Sequence, residues 1–273
     1  MNILSRRPAA VLSAIALGAV VAFTALPAWA ESPEEKGLRI ALEGEGRDKG
    51  FGNYTADQTM VLRNKRGQES ERNLKISVLE NDVDGDKSLI VFNRPRDVKG
   101  TAMLTHSHKV DNDDQWLYLP ALKRVKRISS SNKAGSFMGS EFAYEDMTSQ
   151  EVEKYTYRWL RDEPCGESGE LTCWVSERFP LDKKSGYTRQ VSWVDQGEFR
   201  LWKVEYYDRK DSHLKTLTVP SHQQYIGKHW RADEMQMVNH LTGKSTRLIW
   251  QNYVFGADLD NSDFTKVSLK RAR

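Results

Sequence analysis

Beyond residue 50 the chain is dominated by short runs in which apolar and polar side chains alternate. Residues 70–79 set Leu74, Ile76 and Val78 on one side, with charged or small residues between them. Alternation at period two is the signature of a half-buried strand. The stretches 54–63, 88–93, 155–160 and 173–179 read as strands, as do 192–194, 198–207, 215–219, 223–226, 230–239 and 246–255. Polar or glycine-containing turns separate them, for example 64–67, 82–86, 195–197 and 242–243. Such spacing predicts an antiparallel sheet of roughly ten strands. An open sheet of that size curls into a barrel or splits. Ahead of the strands, Ser32-Pro33-Glu34-Glu35 is a helix opening, with a cap, a first-turn proline and acids at the positive dipole end. Leu38 and Leu42, with Ala41 beside them, predict one apolar stripe that packs this short helix on the main body.

The densest pattern runs from Asp113 to Ile128. Alternation puts Trp116 and Tyr118 on one face of a strand and Leu117 and Leu119 on the other. A strand apolar on both faces is covered twice or faces an apolar guest. Pro120 ends the strand, because it has no N–H for the ladder. The return segment carries Lys123, Arg124, Lys126 and Arg127 around Leu122, Val125 and Ile128. Such a run is a solvated hairpin face, a site for anionic headgroups or phosphate, or a dock for an acidic partner. Residues 129–150 break the strand rhythm: small and polar, with Phe137-Met138 as an apolar tip, they read as a lid or binding loop.

The N-terminus changes the picture by setting a compartment. Arg6 and Arg7, the apolar run 9–26 and Ala28-Trp29-Ala30 have the form of a secretory signal peptide spanning residues 1–30, cleaved after Ala30. The expected domain is then 31–273, soluble in the periplasm. The 41 Lys and Arg face 38 Asp and Glu, and loss of Arg6 and Arg7 with the leader leaves a near balance, which gives no support to a nucleic-acid partner. The two cysteines, Cys165 and Cys173, are expected to pair across a hairpin tip in an oxidising compartment. A redox-active pair is the alternative, but the Cys-x-x-Cys spacing is missing.

Candidate chemistry is sparse. His106 and His108 could share a strand face as metal ligands, yet nothing fixes a third ligand. The turn 82–86 resembles a calcium loop without its closing acid. No nucleophile elbow, cysteine–histidine pair or phosphate-binding glycine loop occurs. Glu145-Asp146, with Glu141 nearby, is an acidic cluster that could do acid–base work but reads rather as an ion-paired or surface group, with the basic run 123–127 as the partner at hand. The tryptophans and Met60, Met103, Met138, Met235 and Met237 read as core, or as the wall of an adaptable apolar pocket.

Four segments together resemble a known family: 100–104 (Gly-Thr-Ala-Met-Leu), 114–125 (Asp-Gln-Trp-Leu-Tyr-Leu-Pro-Ala-Leu-Lys-Arg-Val), Phe137-Met138-Gly139-Ser140 and Tyr144-Glu145-Asp146. They resemble the outer-membrane lipoprotein-sorting proteins, the LolA-like family, and Asp263-Phe264-Thr265 is similar to its C-terminal segment. The resemblance implies a mainly β fold: a single large curved antiparallel sheet forming an incomplete, half-open barrel, with a short N-terminal helix and a helix/loop lid (LolA/LolB-like). It implies a non-enzymatic periplasmic carrier without a cofactor, whose partners are acyl chains of lipoproteins or other lipids, an RND/MMPL-type inner-membrane exporter and an outer-membrane acceptor. A monomer is expected. Strand alternation nominates Met60, Leu62, Phe92, Met103, Leu117 and Leu119 as cavity wall, with Phe137 and Met138 on the flap. Lys123, Arg124, Lys126 and Arg127 are the expected partner or headgroup dock. The alternative is a sensor module on the same fold that docks a membrane protein through that basic hairpin.

Overall fold

The structure, a computed structural model, describes residues 30–272. The leader predicted for residues 1–30 lies outside the described residues, Ala30 excepted. Helix α1 (Pro33–Asp48) opens as its sequence dictates: Ser32 Oγ accepts from Glu35 N at 3.1 Å, and the Glu35 carboxylate accepts from Ser32 N at 2.9 Å. The buried face is not the predicted one. Leu38 and Leu42 are 42% and 49% exposed, whereas Gly37 and Ile40 are buried. A β-carbon on Gly37 would stand 2.8 Å from the backbone nitrogens of Arg158 and Trp159. The missing side chain lets α1 lie directly on a strand, and that contact fixes its rotation.

Thirteen strands follow among the described residues, where the sequence pattern predicts roughly ten. The first six are β1 (Asn53–Arg63), β2 (Glu69–Leu79), β3 (Lys87–Arg94), β4 (Ala102–His106), β5 (Asp114–Leu119) and β6 (Arg124–Ile128). The second group is β7 (Tyr155–Cys165), β8 (Leu171–Pro180), β9 (Tyr187–Asp195), β10 (Leu201–Asp208), β11 (His213–Tyr225), β12 (His229–Asn239) and β13 (Ser245–Phe255). All belong to one antiparallel sheet ordered β6-β5-β4-β3-β2-β1-β13-β12-β11-β10-β9-β8-β7. Each group is a meander, and the two join where β1 pairs with β13. The sheet does not close: β6 and β7 are its free edges.

Because those edges are consecutive in sequence, the segment 129–154 has to cross from one edge to the other. It does so over the concave face, with two short 3-10 turns at Tyr144–Met147 and Val152–Lys154. Side chains tie the margins together. Lys154 pairs with Asp113, and Lys133 Nζ reaches Asp182 Oδ2 at 2.6 Å. Between the edges lies a cleft of about 330 Å³ with Asp113, Gln115 and Ile128 on one side and Tyr155, Pro180 and Leu181 on the other.

Among the described residues three apolar clusters hold the fold. The largest fills the concave side. A second lies on the opposite face, where the short C-terminal helix α2 (Lys266–Arg271) and Phe264 cover Val91, Ala102, Leu104 and Trp116. The third gathers Cys173, Val175, Val191 and Trp193 beside the Cys165–Cys173 disulfide, which closes the β7–β8 hairpin.

Candidate functional site

The concave face is built by strand alternation. Met60 on β1 stands opposite Leu248 on β13, Leu74 on β2 opposite Phe92 on β3, and Met103 on β4 opposite Leu117 on β5. Met60, Phe92 and Met103 are fully buried and Leu117 is 5% exposed. Leu62 and Leu119 pack against the same cluster at its margin. Trp116, one position along from Leu117, faces the other way and is covered by Phe264 and Leu269, with Lys266 Nζ 4.4 Å above its ring. The strand that is apolar on both faces is thus covered twice, by the concave cluster and by α2.

Phe137 closes the cluster from above. It is fully buried, 5.9 Å from the Phe92 ring and 5.8 Å from the Tyr144 ring. The tight turn beneath it forces Met138 and Gly139 to φ 51° and 78°, a region glycine enters freely. Phe137 N donates to Phe142 O at 2.7 Å, and Arg72 donates to the Met138 carbonyl. All eight nominated cavity residues therefore belong to, or pack on, one cluster, and Phe137 occupies its centre as a plug.

The loop that carries the plug is held by inward-pointing polar groups. Lys215 on β11 donates to Asp146 Oδ2 at 2.6 Å and to Glu141 O at 2.9 Å, with the two charged side chains 4% and 5% exposed. Tyr187 donates to Asp146 Oδ1 at 2.9 Å. Thr246 Oγ1 accepts from Glu141 N at 2.9 Å, and Gln115 Nε2 donates to Tyr144 O at 2.9 Å. Glu145 accepts from Ser185 Oγ and Gly186 N, each at 2.8 Å, while burial pushes its carboxyl up. The acidic cluster is ion-paired as expected, but its partner is Lys215, not the run 123–127. Lys215 was legible as an anomaly, since it occupies the inward parity of Leu217 and Val219. A second cleft, about 410 Å³, opens beside this latch against Asp208, Arg209 and Asn239.

The basic run is divided by the strand it sits on. Arg124 and Lys126 stand opposite Leu119 and Leu117, on the concave side, whereas Arg127 stands opposite Trp116 and pairs with Asp114. Lys123 occupies the left-handed turn after Pro120–Leu122. Lys123, Arg124 and Lys126 are exposed and make no ion pair among the described residues. Cations on an edge strand also discourage pairing with another sheet.

The histidines do not converge on a metal. His106 Nε2 lies 2.8 Å from Phe264 O, and His108 Nδ1 lies 2.6 Å from Asp84 Oδ2, beyond the end of β4. Donating its Nδ1–H to the Asp84 carboxylate raises the His108 pKa, and the same bond holds Asp84 at about 2. Elsewhere, Glu45, Glu151 and Glu153 bring carboxylate oxygens within 4.8 Å of one another, and Lys49 Nζ meets Glu45 at 3.2 Å. Among the described residues no helix is long and apolar enough to cross a membrane.

A family model described as "uncharacterized protein" matches residues 84–271. The comparison with curated proteins returned no match. Among solved structures, an outer membrane lipoprotein-sorting protein domain of Vibrio parahaemolyticus is 53% identical, with a TM-score of 0.85, over 87% of this chain and 100% of that one. A DUF1329 family protein of Desulfovibrio piger is 30% identical, with a TM-score of 0.82, over 87% and 99%. A LolA superfamily protein of Nitrosomonas europaea shares the fold at 19% identity and a TM-score of 0.67, over 85% and 98%. The open sheet, its plugged concave face and these relatives agree: the chain belongs to the outer membrane lipoprotein-sorting family, on the LolA-like fold.

Proposed function

We propose that this protein is a non-enzymatic periplasmic carrier that takes acyl chains of lipoproteins or other lipids onto its concave face and carries them towards the outer membrane. The single observation behind the reading is the plugged cluster: Met60, Leu62, Phe92, Met103, Leu117 and Leu119 form one wall, and Phe137 and Met138 cover it. An acyl chain that displaces Phe137 gains about 0.8 kcal/mol per buried CH₂. Phe137 already satisfies part of that surface in the closed state, so the exchange is near balance, which suits reversible loading. The leader 1–30 delivers the domain 31–273, as a monomer, to the compartment where an RND/MMPL-type exporter and an outer-membrane acceptor would meet it. The test is native mass spectrometry and lipid extraction of the mature protein expressed in its own kind of envelope. Co-purifying lipid that a fluorescent fatty acid displaces is the expected result. A protein that neither retains nor takes up any lipid would sink the proposal.

A second reading has its own observation: Lys123, Arg124 and Lys126 are exposed and unpaired on the β6 edge. They would dock a membrane-protein partner or an anionic headgroup, with the domain acting as a sensor. Reversing Lys123 and Arg124 to glutamate should abolish partner capture and leave lipid uptake intact. Unchanged capture removes these residues from any docking role.

A further inference from the structure

The concave face presents several polar side chains at inward positions of its strands, and three of them hold the crossing loop. Gln115, Lys215 and Thr246 each hold the loop 129–150 by a hydrogen bond of 2.6–2.9 Å. Another is Gln58, on β1, two residues from Met60 and two from Ala56. It stands opposite Leu74 on β2 and Trp250 on β13, both part of the concave cluster. Gln58 is 2% exposed, and neither its Oε1 nor its Nε2 has a hydrogen-bond partner among the described residues. A primary amide carries two donors and an acceptor with two lone pairs, and burying all of them unmet is strongly disfavoured. The rest of the fold offers no structural return for it: Met60 on the same face shows that an unbranched apolar side chain fits this wall. Buried polar groups left unpaired call for a partner from outside the chain.

We infer that Gln58 is the polar anchor of the lipid site, donating its amide N–H to the carbonyl of the linkage that joins an acyl chain to its carrier. The substrate class is then acyl esters or amides, not simple hydrocarbon chains. The inference rests on the carrier reading above and adds a specificity determinant to it. Apolar surface alone cannot distinguish a chain with a carbonyl from one without, whereas a buried donor left unmet rejects the analogue that lacks the acceptor.

The test is a cycle between one side chain and one ligand group. Two phospholipids of identical chains and headgroup, one ester-linked and one ether-linked, are titrated by fluorescence displacement into the wild-type protein and into Gln58→Met. The wild type should bind the ester form roughly two- to tenfold tighter, the range expected of one net hydrogen bond. Gln58→Met should bring that ratio to one, mainly by weakening the ester, while melting no lower than the wild type. Equal binding of both lipids by the wild type overturns the inference and leaves the carrier reading standing. An unchanged ratio in Gln58→Met overturns it too and assigns the amide a buried water only. Uptake of neither lipid by the wild type overturns the carrier reading, and the inference falls with it. Gln58→Leu serves as the second variant should the methionine pack poorly.

Discussion

Lys215 and Asp146 meet 69 positions apart in sequence, each almost fully enclosed. Removing one partner strands the other charge in the interior, which costs roughly 3–5 kcal/mol. Lys215→Met should therefore lower the urea midpoint sharply at unchanged m-value, and adding Asp146→Leu should recover most of the loss. A midpoint that hardly moves in the single variant would show that the latch does not stabilise the loop. Two other carboxyls set a pH dependence. Burial raises Asp86 from 3.8 to about 6 and Glu151 from 4.5 to about 7. Folding favours their protonated forms, so their contribution is fully present below the unfolded values. It is lost as pH rises through about 6 for Asp86 and about 7 for Glu151. Calorimetry should find the melting temperature falling across this window, and Glu151→Gln, which stays neutral, should flatten the upper half. A wild-type profile without that fall would contradict the assignment.

At the scale of elements, alternation locates strands because a sheet covered on one side imposes period two directly on the sequence. Residues 70–79 and the hairpin around Pro120 illustrate this. Where other physics intervenes, the pattern misleads. Pro220 suggests a break between 215–219 and 223–226, yet β11 runs through it, because the register shifts between Thr218 and Ser221 leave that position without a ladder bond to make. Helix α1 is read correctly as a helix and wrongly as to its buried face. Leu38 and Leu42 advertise a stripe, but the decisive residue is Gly37, whose contribution is an absent side chain. Gly37→Val should force the helix off β7, destabilise the domain by about 1–3 kcal/mol and raise amide exchange along residues 33–48. Protection unchanged from the wild type would remove the close approach as the helix's anchor. The plug was legible as an apolar tip, but not as a buried one. Its burial depends on Lys215, Tyr187 and Thr246, contributed by distant strands that only the sheet order brings together.

In the whole molecule the fully buried Phe137 sits not on the sheet but on the segment that crosses between its free edges. Phe137→Ala should lose about 3–5 kcal/mol in stability by opening a cavity. The same change should speed uptake of a fluorescent fatty acid, since the chain then has less to displace. Slower uptake in a variant that remains folded would argue against a plug. The two sheet edges extend this logic. A closed barrel has a radius set by strand number and stagger, and enlarging it means tearing a row of backbone hydrogen bonds. Here the free edges β6 and β7 share no ladder, and beside the crossing segment 129–154 the two halves meet through side-chain pairs, Lys154 with Asp113 and Lys133 with Asp182. Those bonds can be exchanged for water at little loss, while every ladder bond stays intact. The girth of the open sheet is therefore set by side-chain pairs across a gap and not by a closed ladder, like that of a belt with a soft buckle.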